Sequence, residues 1–311
     1  MILCVAGNPS IDKLFEVQRL DPGQIHRPEQ FVQLPGGKGI HVAQVAAALG
    51  EATLVTGLLA GNTGRWIAEA LDQQGIRGDF AWGDGETRSS LSVADRETGG
   101  LTEFYEDGTS ISAAEWHSVH EIVVQRLPEA SWLALAGSMP PGAPVDGYCE
   151  LIATARAAGV PVAVDTRGAA LARVVDAEPD LVKINVHEAA ELLDGPLAPG
   201  EAAGALHEIR DRAGGDGHAV AITLGEEGAM LLDPSGTAWR GRLDAIGRYP
   251  VGSGDSFLAG LLVGRVRGEP WPDALRLALG AAAANAELPG AARFSADRAL
   301  TLAATADVRE A

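Results

Sequence analysis

Four short apolar runs, at residues 131–136, 160–164, 181–184 and 219–223, are separated from one another by alanine-rich stretches of helical character. This alternation constrains the fold more than any other feature. The runs are apolar at almost every position rather than at every second one. Such strands are covered on both faces, which points to a parallel sheet with helices on either side. Polar or glycine-rich loops follow the runs: Gly-Ser-Met-Pro-Pro-Gly after the first, Asp165 after the second, Asn185 and a helix over 188–193 after the third, Leu-Gly-Glu-Glu-Gly after the fourth. Open α/β sheets bind ligands outside the carboxyl ends of their strands, so these loops are where a site belongs.

The first third is patterned differently. Residues 11–34 and 88–105 alternate apolar and polar side chains, the signature of half-exposed strands in a small antiparallel sheet. Residues 39–50 and 63–75, between them, read as amphipathic helices of the main body. The expected organisation is a single α/β unit over 1–311, Rossmann-like, with a β-sheet lid drawn from about 11–35 and 88–106.

Charge narrows the function. Lys and Arg total 24 against 42 Asp and Glu, a net charge of −18. Phosphate backbones and anionic membrane surfaces would repel such a chain, so neither nucleic acid nor membrane is an expected partner. An anionic ligand must be held by a few local cations, a metal ion or helix N-termini. The two cysteines, Cys4 and Cys149, sit in apolar stretches and suggest a reducing compartment. No run approaches the ~18 apolar residues of a membrane span. The opening MILCVAGNPSID reads as a first strand rather than a leader, and the cytoplasm is the expected location.

Two glycine loops stand out. Pro35-Gly36-Gly37-Lys38-Gly39 runs into a helix. It is either a tight turn or a place where backbone approaches a ligand in front of free helix N–H groups. It is not a P-loop, because Gly39 rather than Ser or Thr follows Lys38. It is not a dinucleotide fingerprint either: Val42 occupies the third glycine position, and Thr56 and Gly57 lie where the acidic residue should be. The chain has only three lysines, Lys13, Lys38 and Lys183. One kept in a glycine loop suggests a compact point charge with a task. The second loop, Val251-Gly252-Ser253-Gly254-Asp255-Ser256, precedes an apolar helix over 257–266. Asp255 or Ser256 is either a plain N-cap or part of an anion nest. A carboxylate beside an anion nest suits proton abstraction next to a transferring phosphoryl group. Asn185 and Glu188, three apart, make either a capping box or a face that holds hydrated Mg²⁺.

Together these residues resemble the PfkB branch of the ribokinase-like sugar kinases, closest to the 1-phosphofructokinase and tagatose-6-phosphate kinase group. The resemblance spans nearly the whole chain. Its carriers are Asn8-Pro9-Ser10-Ile11-Asp12, Gly36-Gly37-Lys38-Gly39, Gly137-Ser138-Met139-Pro140-Pro141-Gly142, Asp165-Thr166, Lys183-Ile184-Asn185 with Glu188, Thr223-Leu224-Gly225, and Gly252-Ser253-Gly254-Asp255. The resemblance implies a ribokinase-like body with a β-sheet lid, often dimerised through that lid. It implies ATP and Mg²⁺ as cofactors and a sugar phosphate as acceptor. By motif match, Asp255 looks like the base and Gly252, Ser253 and Gly254 like the anion hole. Asp12, Gly36, Gly37, Lys38, Arg88 and Ser138 look like acceptor contacts. Lys183, Asn185, Glu188, Thr223, Gly225, Gly228 and Asn285 look like nucleotide contacts, with Asn185 and Glu188 serving Mg²⁺ through water or phosphate and Asn285 near the adenine.

There are two departures. His41 stands where the family usually has Asn, at a position that touches the sugar, and Ile184 replaces the Pro of Lys-Pro-Asn. The reaction implied is transfer of the ATP γ-phosphoryl group to a phosphorylated ketohexose. The rivals are a kinase of an unphosphorylated sugar or nucleoside, against which Lys38 and Arg88 argue, and an idle sugar-phosphate sensor, against which the intact Gly-Ser-Gly-Asp argues.

Overall fold

The computed structural model describes residues 1–197, 199–245 and 247–311. In chain order the strands are β1 (Ile2–Ala6), β2 (Ser10–Val17), β3 (Gln30–Gly36), β4 (Thr53–Ala60), β5 (Arg77–Gly78), β6 (Ala81–Gly83), β7 (Ser89–Asp95), β8 (Leu101–Tyr105), β9 (Trp132–Ala136), β10 (Val162–Asp165), β11 (Leu181–Asn185), β12 (Ala219–Thr223), β13 (Ala229–Leu232), β14 (Ala238–Arg242) and β15 (Asp307–Glu310). The helices are α1 (Lys38–Ala48), α2 (Gly61–Gln73), α3 (Ala113–Arg126), α4 (Gly147–Ala157), α5 (Gly168–Asp176), α6 (Val186–Leu192), α7 (Ala202–Arg212), α8 (Ser253–Val266), α9 (Trp271–Ala286) and α10 (Ala296–Ala303).

The large sheet runs β15-β14-β13-β12-β11-β10-β9-β1-β4-β5, with β6 paired to β4. It is parallel from β12 to β5 and antiparallel from β12 to β15. Successive side chains of a strand face opposite ways, so a run apolar at every position feeds two cores. In β1, Ile2, Cys4 and Ala6 join the core under α1, α8 and α9, while Leu3 and Val5 join the one under α3, α4 and α7. Cys4 and Cys149 are free, and burial pushes the Cys4 thiol up, which makes it an inert filler. Among the described residues no helix is long and apolar enough to cross a membrane.

Helix α8 lies against α9 at very close range. A Cβ on Gly260 would fall 2.6 Å from the Cα of Ala278, and one on Gly264 2.7 Å from the Cβ of Ala274. Small residues at the crossing let the two backbones touch, and that contact fixes where the N-terminus of α8 points.

The second sheet has four strands in the order β3-β2-β7-β8. Its central pair, β2 and β7, is parallel, whereas β2–β3 and β7–β8 are antiparallel. The expected all-antiparallel sheet is therefore corrected to a mixed one. The reason is topological. Each segment leaves the large sheet as an outgoing strand, β2 after β1 and β7 after β6, and returns as a hairpin partner. Two outgoing strands laid side by side must run the same way.

Candidate active site

A cavity of about 1050 Å³ lies at the carboxyl ends of β1, β9, β10, β11 and β12, with the small sheet forming its far wall. It is lined by Asp12, Gly37, Lys38, His41, Arg88, Ser138, Lys183, Asn185, Glu188, Thr223, Gly225, Gly228 and the run Gly252 to Asp255. Of the catalytic, acceptor and nucleotide contacts read from sequence, Gly36 and Asn285 stand outside it. All three lysines of this acidic chain line it.

Helix α8 begins at Ser253, four residues earlier than the apolar pattern suggests, so the Gly-Ser-Gly-Asp motif forms its first turn. The N-cap is Gly252, in the left-handed region at φ 80°, and no side chain caps the helix. Asp255 and Ser256 are therefore not N-caps. Ser253 N–H donates to the Pro250 carbonyl and Ser256 N–H to the Gly252 carbonyl. The N–H groups of Gly254 and Asp255 have no partner among the described residues, and both residues line the cavity at the positive end of a helix dipole. Gly254 lies directly over Lys183: a Cβ there would sit 2.7 Å from Lys183 Nζ, and the ammonium would have to shift.

Under that turn is a buried charge cluster. Asp165, at the end of β10, takes Lys38 Nζ at 2.5 Å on one oxygen and Lys183 Nζ at 2.6 Å on the other. Burial works against ionising Asp165, but the two ammonium groups outweigh it and hold the carboxyl well below the usual range. Lys38 is correspondingly pushed up: Asp165, Asp255 and Glu188 overcome the effect of its own burial.

Asn185 and Glu188 form a complete capping box. Asn185 Oδ1 accepts from the N–H groups of His187 and Glu188, and Glu188 Oε2 accepts from Asn185 N–H. This settles the first turn of α6 and leaves Glu188 Oε1 toward the cavity, 3.6 Å from Lys38 Nζ. Among the described residues no group of three His, Cys, Asp or Glu is placed to hold a metal. One outward carboxylate oxygen, shared with Lys38, fits Mg²⁺ only as an ion that keeps its waters and comes with phosphates.

Asp12 and Asp255 flank His41. Its Nδ1 lies 2.7 Å from Asp255 Oδ2, and its Nε2 3.0 Å from Asp12 Oδ2. The first is a hydrogen bond; the second is an ion-pair contact at similar range, in which Nε2 completes no hydrogen bond. Burial disfavours a charged His41, yet the two carboxylates more than compensate and push its pKa up to about 10. Ser10 Oγ donates to Asp12 Oδ1 at 2.6 Å. Gly36 lies directly behind Asp12, where a Cβ would be 2.1 Å from Asp12 Cγ. Its role is to make room, not to line the cavity.

Asn285 also differs from expectation. It is fully buried behind the α8 loop, with Nδ2 donating to the Val251 carbonyl at 2.8 Å and to Ser253 Oγ at 3.2 Å, while Oδ1 accepts from Ala292 N–H at 2.7 Å. Every polar atom of its amide is thus engaged by protein, and the side chain pins the glycine turn from below. Asn285→Ala is expected to cut turnover by about 10- to 100-fold through misplacement of the turn, with acceptor affinity little changed. Steady-state kinetics on the purified variant check this.

Arg88 hangs on backbone. Its Nε and Nη2 donate to the Asn8 carbonyl, and its Nη1 to the Glu106 carbonyl and Ser90 Oγ. Burial lowers its pKa, with Asp12 opposing and the nearby Arg167 reinforcing that shift. Arg167 and Lys13 line the cavity with no hydrogen-bond or ion-pair partner among the described residues. The sequence reading passed over both as ligand contacts. Arg167 follows Asp165-Thr166 at a strand end, the position rule that located the other loops, and that was its available signal.

The profile described as pfkB family carbohydrate kinase matches residues 3–298. Phosphofructokinase-2 from Escherichia coli, in its tetrameric inhibited form, is similar with a TM-score of 0.88 at 25% identity, covering 97% of this chain and 98% of that one. A Thermotoga maritima protein described as a possible 1-phosphofructokinase is similar with a TM-score of 0.87 at 19% identity, over 100% and 99% of the two chains. Ribokinase from Arabidopsis thaliana, complexed with ribose and ATP, is similar with a TM-score of 0.78 at 22% identity, over 97% and 98%. The latter two likenesses speak for the fold alone.

Proposed function

The chain belongs to the pfkB family of carbohydrate kinases, and on that premise we propose that this ATP-dependent sugar kinase acts on a phosphorylated ketohexose: fructose 1-phosphate, fructose 6-phosphate or tagatose 6-phosphate. A primary hydroxyl of the acceptor receives the γ-phosphoryl group of ATP, and the product is a bisphosphate. The observation that carries the reading is Asp255 at the uncapped N-terminus of α8, a carboxylate beside free N–H groups in a cavity with three lysines. Asp255 takes the hydroxyl proton as the oxygen attacks in line, and the Gly252–Gly254 turn holds the charge that spreads over the transferring group. Glu188 Oε1, with Asn185 behind it, is the place for a water-wrapped Mg²⁺, which when bound neutralises phosphate charge. The turn of Thr223, Gly225 and Gly228 accommodates the nucleotide. Asp12 and Ser138 contact the sugar.

Arg88, Arg167 and Lys13 favour an acceptor that already carries phosphate, since two of these cations have no protein partner. The small sheet acts as a lid that excludes water from the transfer. Its outer face leaves Phe31 and Phe104 more than half exposed, which supports pairing with a second copy.

The test is ADP release with Mg²⁺–ATP and a panel of fructose 1-phosphate, fructose 6-phosphate, tagatose 6-phosphate, fructose, ribose and adenosine. Turnover confined to one phosphorylated ketose is expected. Arg167→Ala should then raise KM for that ketose by about 10-fold or more, the worth of one charge-assisted contact. Turnover only with an unphosphorylated acceptor would overturn the assignment of acceptor class.

A further inference from the structure

His41 is the chain's departure from its family at the acceptor site, and the geometry gives it a place between two carboxylates rather than beside a ligand. The ring is 5% exposed. It comes from α1, Asp12 from β2 in the small sheet, and Asp255 from α8 in the body. One ring therefore spans all three elements that close around the acceptor. We infer that His41 is a positioning residue, a two-ended strut that links the seating of the acceptor on Asp12 to the aim of Asp255. The inference rests on the kinase reading above for the roles of those two carboxylates.

The two ends are unequal. Toward Asp255 the Nδ1 contact is a short hydrogen bond, which fixes Oδ2 and leaves Oδ1 free for the acceptor. Toward Asp12 the Nε2 contact is longer, at 3.0 Å, and Nε2 completes no hydrogen bond. An unfinished bond on a buried ring has something to gain from a small rotation. An acceptor hydroxyl seated on Asp12 supplies the push, aligns the Nε2 end and locks the ring. A ring with a proton on only one nitrogen would turn a lone pair toward one of the carboxylates, so the strut needs both N–H groups.

The charged neighbours favour that state. Asp12 and Asp255 face the ring directly. Lys38, on the same helix, lies within the field of Asp255, and Arg88 and Tyr105 lie within that of Asp12. The folded ring holds its proton to about pH 10, whereas an unfolded histidine releases it near 6.5. Its contribution to stability is thus complete below about pH 6.5 and is lost as pH rises toward 10.

The experiment uses the full chain, ¹⁵N-labelled on histidine, with His41→Asn and His41→Gln as variants. The imidazole signal absent from His41→Asn belongs to His41 and is expected to show protons on both nitrogens at pH 8. His41→Asn should lower kcat about 10-fold or more, with KM for ATP within about twofold. Asp12→Asn should then cost much less in the His41→Asn background than in the wild type, because the path from acceptor to base is already cut. A His41 ring that titrates near 6.5, or losses in kcat that simply add, would overturn the inference. If the wild-type chain turns over no sugar of the panel, the kinase reading fails, and the labelled ring, which needs no acceptor, decides the strut by itself.

Discussion

Asp255→Asn is expected to lower kcat by about 10² to 10⁴-fold while nucleotide affinity is largely retained. Asparagine has the shape of aspartate and can still accept from His41 Nδ1, so the packing of a residue only 6% exposed is kept. What disappears is the capacity to take a proton next to the open end of α8. No other carboxylate stands in that first turn. Glu188 is engaged by its own capping box, and Asp12 is engaged by Ser10 and His41. Single-turnover kinetics with saturating ATP, together with nucleotide binding by titration calorimetry, separate the two effects. Near-normal turnover would sink the assignment of the base.

Asp165→Asn should produce the largest change in stability. The carboxylate is wholly buried and neutralises Lys183, which is 3% exposed, along with Lys38, whose side chain is about one-third open. The substitution strands a buried ammonium, which costs about 3 to 5 kcal/mol and lowers the midpoint of thermal unfolding by roughly 10 °C. Most of the loss comes from Lys183, because Lys38 can turn toward solvent and Glu188. The folded pKa of Asp165 lies below its unfolded value. The stabilisation is therefore fully present above about pH 4 and fades only as pH falls below that. Denaturant titration at pH 7 and pH 3 checks both size and sign. A loss under about 1 kcal/mol at pH 7 would show that the lysines find other partners. Activity should fall too, since the Lys183 ammonium lies directly under Gly254.

The large sheet was legible because buried parallel strands write themselves as unbroken apolar runs, and four of them could be read with boundaries good to a residue or two. The pairing inside the small sheet was not. Alternation reports which side of a strand is wet, but says nothing about which way a distant neighbour runs, and β2 and β7 proved parallel. The glycine loops were visible as composition, while the start of α8 was hidden, because Gly-Ser-Gly-Asp does not look helical until α9 holds it in place. At Asn185 and Glu188 the capping box forms through Oε2 and leaves Oε1 outward. Asn285 shows where motif reading runs out. A polar residue in an alanine-rich helix can face a ligand or brace a loop from behind, and only the packing distinguishes them.

The parallel seam between β2 and β7 also sets an order of events in the life of the chain. Asp12 lies opposite Ser90 across that seam, next to Arg88 at the root of β7. As the polypeptide emerges during synthesis, β2 and its hairpin partner β3 appear first and keep one edge unpaired until β4, α2 and β6 have been laid down and β7 arrives. Distant parallel pairings of this kind form slowly, and until they form the bare edge is open to wrong partners. The wall that would recognise the acceptor is thus joined only after the neighbouring part of the body exists to root both of its strands. On the proposed function, the acceptor site would be among the last parts of the fold to be completed.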